Sequence, residues 1–227
     1  MNLGRLLGIL AAVIFLAPLA KADSSVTMVF NGVNGANDGQ YYVSPYYGSM
    51  NGQSVVLFCD DILNEVGINQ VWQAQVTNLG AALAGGNFSQ TRYGSAAGSA
   101  IFNNTSLAYY DNPGMAYEEA AWLVSQFAAN PGDLVNLQYA LWDIMNPGAR
   151  GVGNLDVQHW LTMAGQNYQS IDPYIFEIVT NCNPTLQGPG QVQEFIIRTP
   201  EPGTLALLLC GLLAIAARLF NRGRLTT

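Results

Sequence analysis

The chain has 227 residues, 50% of them apolar, and carries a formal net charge of −7. That length fits one domain with terminal segments. Between Asp23 and Thr199, Arg92, Arg150 and Arg198 face 14 acidic residues, a net charge of −11; this excludes nucleic acid and anionic lipid as partners, because both demand basic surface.

Met1 to Ala22 have the order of a secretory signal peptide. Arg5 supplies the positive start, Leu6 to Leu19 the apolar run, and Ala20-Lys21-Ala22 the small-x-small cleavage pattern. The mature chain is expected to begin at Asp23, after cleavage at Ala22, outside the cytoplasm. Lys21, inside this signal, is the only lysine in the sequence.

Alternating apolar and polar residues then predict strands at Val26–Phe30, Tyr41–Val43, Ser54–Phe58 and Val71–Val76. Asn31-Gly32, Asn34-Gly35 and Asn51-Gly52 mark the turns between them. The third strand runs into Phe58-Cys59-Asp60-Asp61, where the two aspartates read as turn residues. There is no glycine-rich phosphate loop and no cysteine spacing for a metal, so no cofactor and no metal are expected.

The punctuation changes after residue 110. Asn-Pro-Gly recurs at 112–114, 130–132 and 146–148, and each interval between these marks is long enough for a helix. Met115 to Ala129 carries Glu118 and Glu119 near its start, which favours a helix N-terminus, and a stripe of Ala120, Leu123, Val124 and Phe127. Asp133 to Met145 has Asp133 as its expected N-cap and a stripe of Leu134, Leu137, Leu141 and Ile144. Gln138 falls on one face with Leu134, Leu141, Trp142 and Met145. A glutamine amide on an apolar face is costly to bury without partners. A third helix is predicted from Leu155 to about Tyr168, with Val157, Trp160, Leu161 and Ala164 inward and His159 exposed. Strands return at Tyr174–Thr180 and Val192–Arg198. The pattern implies an α+β fold, a sandwich-like or barrel-like β domain with a helical insertion.

Phe58-Cys59-Asp60-Asp61 and Gln138-Tyr139-Ala140-Leu141-Trp142 together resemble the thioester domains of bacterial surface adhesins. In that family a Cys after a strand joins a Gln in a Gln-x-Ala-x-Trp helix, and the order along this chain agrees. Leu137 stands where the family often has Thr. The resemblance implies a bond between Cys59 and Gln138, shielded from water by Trp142 or other aromatics. An amine or hydroxyl of an outside molecule would then take the acyl group, so the protein would be an adhesin rather than a turnover enzyme. A mature chain without lysine cannot quench its own acyl group on one. Another reading stays open at this point: Cys59 and Cys182 are the cysteines of the exported part, and two cysteines in an oxidising compartment also make a disulfide. That alternative is a passive exopolysaccharide or biofilm matrix protein. An exported hydrolase lacks a convincing base. The tyrosines (Tyr41, Tyr42, Tyr46, Tyr47, Tyr109, Tyr110) suit sugar stacking and core packing equally.

The chain closes on Pro200-Glu201-Pro202, an apolar run from Leu205 to Ala217, and Arg218, Arg222 and Arg224. A helix over about 204–220 just spans a bilayer if Arg218 snorkels, with the arginines on the cytoplasmic side. This order resembles the PEP-CTERM sorting tail of Gram-negative bacteria. The resemblance implies inner-membrane anchoring, then cleavage near Pro200–Pro202 by an exosortase and release to the cell surface or matrix. Prolines lack donors and resist helix, which keeps that strip extended and open to a protease. The expected organisation is therefore signal peptide 1–22, exported domain 23–199 and sorting tail 200–227.

Overall fold

A computed structural model describes residues 25–95 and 113–199, except 152, 183 and 186, together with Gly211 and Leu213. The signal peptide with Ala22, the sorting motif Pro200, Glu201 and Pro202, and Arg218, Arg222 and Arg224 lie outside the described residues, as do Tyr109 and Tyr110. No helix among the described residues is long and apolar enough to cross a membrane.

Antiparallel strands β1 (Val26–Val33), β2 (Tyr46–Met50), β3 (Gln53–Cys59), β4 (Val71–Asn78), β5 (Phe176–Asn181) and β6 (Phe195–Arg198) close into a barrel in the order β1-β2-β3-β6-β5-β4. Closure leaves no unpaired sheet edge. The α+β expectation holds, and the β part is a barrel. Alternation sets its inside: Met28, Phe30, Leu57, Cys59, Trp72, Ala74, Val179 and Phe195 point inward and are buried. The Asn51-Gly52 turn joins β2 to β3 with φ of 50° and 79°, the left-handed pair that a two-residue hairpin needs.

Between β4 and β5 come α1 (Leu79–Gly85), α2 (Pro113–Gln126), α3 (Leu134–Met145) and α4 (Leu155–Asn167). They build a second core on the outer side of β5 and β6, where Leu123, Leu137, Leu141, Ile144, Val157 and Trp160 pack with Phe176, Ile178 and Ile196. Trp142 departs from this set, because it leaves the helical layer and packs with the barrel interior. Helix α3 thus closes one end of the barrel.

Several expectations need correction. The predicted strand at Tyr41–Val43 is an isolated bridge from Tyr42 to Asn37, and the strand proper begins at Tyr46. The short helix α1 carried no periodic signal. Helix α2 starts at Pro113, whose missing N–H costs nothing at a first helical position, so Glu118 and Glu119 stand beyond the first turn and Glu119 is buried. Asp133 makes no side-chain cap to α3 and instead accepts bonds from Asn136 Nδ2 and Trp160 Nε1. Asp60 and Asp61 are not exposed turn residues; both are fully buried.

Candidate functional site

Cys59 ends β3 pointing into the barrel, and its neighbours in register place it opposite Phe195. Gln138 comes from the second turn of α3, and Trp142 follows one turn later on the same face. Ser44 lies just before β2. All four side chains are buried, and Ser44, Cys59 and Gln138 have no exposed surface.

Hydrogen bonds connect three of these residues in a ring. The Gln138 amide Nε2 donates to the Cys59 carbonyl at 2.6 Å. The Ser44 backbone N–H donates to Gln138 Oε1 at 3.0 Å. The Cys59 N–H donates to Ser44 Oγ at 2.9 Å. The ring answers the cost of burying an amide on an apolar helix face, since both ends of the amide are satisfied. The Cys59 thiol donates to the Asp61 carbonyl at 3.2 Å. Burial, and then the nearby Asp61 and Asp60 carboxyls, push its pKa well up. The resting group is a neutral thiol.

Trp142 is the cover. Its ring stacks with Tyr139 at 5.9 Å between centroids and meets Tyr41 edge-on at 5.9 Å. The Arg150 guanidinium lies 4.3 Å from the Tyr41 ring centroid and 5.8 Å from that of Tyr139, within cation–π range. The Tyr139 hydroxyl donates to Asp38, which fastens the 34–42 loop to α3. Outside Trp142 opens a recess of about 340 Å³ lined by Tyr41, Tyr42, Tyr46, Glu65 and Gln193. Trp142 also lines it, whereas Ser44, Cys59 and Gln138 do not.

Behind Cys59 lies a buried ionic network. Arg92 Nε pairs with Asp61 Oδ2 at 2.8 Å, both fully buried. Asp61 also accepts from Asn64 Nδ2 at 2.9 Å and from the Glu194 N–H at 3.2 Å. Glu194 accepts from Tyr117 Oη at 2.5 Å, from the Arg92 N–H at 2.7 Å and from Thr180 Oγ1. The Asp60 carboxyl has no hydrogen-bond partner among the described residues. Burial, then Glu194 and Asp61, hold its pKa well above the usual carboxylate value. No group of side chains suited to a metal ion gathers among the described residues.

Cys59 and Cys182 are free thiols. Cys59 pairs with Phe195, and Phe195 with Val179 on β5. Cys182 lies past the end of that strand, two strand spacings across and three residues along, roughly 10 Å or more from Cys59. A disulfide needs Cα atoms within about 7 Å, so the structure does not support the Cys59–Cys182 pairing. His159 is exposed on α4, as expected.

The sequence singled out Cys59, Gln138 and Trp142, and the structure brings all three to one end of the barrel. Ser44, Arg92 and Glu194 were missed. Ser44 takes part through its backbone N–H, which every residue but proline has, and through a hydroxyl that no sequence motif marked. Arg92 and Glu194 lie 31 residues and more from Asp61 along the chain and meet it only through the fold. Family models, curated proteins and solved structures offer no match to this chain.

Proposed function

We propose that this chain is an exported surface protein that attaches covalently to a partner through an internal thioester between Cys59 and Gln138. The observation that carries the reading is the buried ring of Ser44, Cys59 and Gln138 beneath Trp142. It holds a cysteine and a glutamine amide from distant parts of the chain together in a dry place. In the reaction, the Cys59 sulfur bonds to Gln138 Cδ, the C–N bond breaks, and the thiol proton leaves with the nitrogen as ammonia. Exclusion of water keeps the thioester intact. A primary amine or a hydroxyl of an extracellular polysaccharide or surface molecule then takes the acyl group and returns a proton to sulfur. The acyl group is used once, so this is adhesion rather than turnover. At its ends the protein is handled by signal peptidase and by an exosortase, which fits the composition of both termini.

Methylamine tests the reading. Peptide mapping of the native protein after methylamine treatment is expected to find the label on Gln138, with the Cys59 thiol newly available. Cys59→Ala is expected to abolish labelling. Unlabelled Gln138 in the native wild type would reduce the ring to a structural clasp between helix and barrel.

A further inference from the structure

Nucleophilic attack on an amide or thioester carbonyl puts negative charge on its oxygen. An enzyme-like site answers with donors fixed about 2.7–3.1 Å from that oxygen. Gln138 Oε1 already has such a donor, the Ser44 backbone N–H at 3.0 Å. The donor is itself held. Ser44 Oγ accepts the Cys59 N–H at 2.9 Å, so the residue that aims at the electrophile is tied to the one that carries the nucleophile. Full burial of all three strengthens the interaction, because no water competes for the oxygen.

We propose that the Ser44 backbone N–H is the oxyanion donor for acyl transfer at Gln138, and that the Ser44 hydroxyl positions it; this rests on the thioester reading above. One donor serves both steps. In bond formation the S–C bond forms, the charge rests on Oε1 under the Ser44 N–H, and the C–N bond breaks with loss of ammonia. In discharge a primary amine attacks the same carbon, the charge returns to the same oxygen, and the S–C bond breaks as sulfur takes up a proton. Because Cys59 is a buried neutral thiol, help on the carbonyl side matters more than it would for a preformed thiolate. Trp142 has a buried indole N–H with no hydrogen-bond partner among the described residues. It makes no bond to Oε1, and the Ser44 N–H is the donor that reaches this oxygen.

The test replaces the Ser44 amide by an ester, using the α-hydroxy analogue of serine in the full chain. Refolded wild type, ester variant and Ser44→Ala are followed by mass for ammonia loss and for methylamine uptake. The ester variant is expected to slow both steps by about a hundredfold. Ser44→Ala keeps the donor but frees it, and is expected to slow both by a smaller factor. Equal rates in wild type and a folded ester variant overturn the proposal while leaving the thioester in place. A wild type that neither loses ammonia nor takes up methylamine overturns both. Should the ester variant fail to fold, NMR of the wild type decides. A coupling across the hydrogen bond between Ser44 nitrogen and Gln138 Cδ is expected in the thioester form. Its absence, with couplings seen across the barrel strands, overturns the proposal.

Discussion

Asp60 follows Cys59 in the chain, fully buried, with neither carboxyl oxygen hydrogen-bonded among the described residues. Such a group favours its neutral form, and its pKa rises above the ordinary 3.8 because of burial, then Glu194 and Asp61. Between 3.8 and that raised value the folded chain holds a proton that the unfolded chain has released. Stability therefore falls as pH rises through this window. The buried Glu194 and Asp61, also raised, act in the same direction. Asp60→Asn removes the ionisation and is expected to raise Tm at pH 7, by about 2–4 °C for each kcal/mol gained. The gain should shrink as the pH is lowered and vanish only below 3.8, where Asp60 is neutral in both states. Thermal melts of the two proteins across that range check it; a destabilised variant at pH 7 would mean that Asp60 has an ionic partner. Nothing in the sequence pointed here, because Asp-Asp after a strand is ordinary turn composition. Only the meeting of Arg92, Glu194 and Tyr117 with that turn makes it a buried network.

Helix α3 was legible for a different reason. Two Asn-Pro-Gly marks bracket it, and its apolar stripe has helical spacing. The helix runs from Leu134 to Met145, almost as read. Within it, Leu137, Leu141 and Ile144 serve the helical core, whereas Gln138 and Trp142 serve the barrel end. That division of faces was visible as a polar residue and a tryptophan one turn apart. By contrast β2 was hidden, since Ser44-Pro45 before it and Gly48 within it are turn-type residues, and the strand has only five residues, Tyr46–Met50. The loop before it supplies Tyr41, whose edge closes over Trp142. Tyr41→Ala should leave the core intact, because Tyr41 is only half-buried. It is expected to let water reach the thioester, so the hydrolysed form, heavier by one water, accumulates faster in a time course of intact mass. An unchanged rate of hydrolysis would show that Tyr41 does not shield the bond.

The barrel with its helical cap explains how a cysteine and a glutamine 79 residues apart meet. The closed sheet fixes Cys59, the helical layer fixes α3, and the two are joined by the ring through Ser44. The acidic segment from Asp23 to Thr199 contains no lysine, which fits the proposed transfer to an outside amine. Terminal sequencing of surface material is expected to give Asp23 at the start and an end near Pro200, with Leu205 to Arg224 removed. Finding that segment still attached would replace release by permanent membrane anchoring. Covalent attachment depends most directly on one bond. Intact mass of the exported domain, purified without thiols or amines, measures it. The mass is expected to be lower than that of the unmodified sequence by one ammonia, and methylamine should add once. A mass equal to the unmodified sequence, or lower by two hydrogens alone, would contradict the thioester.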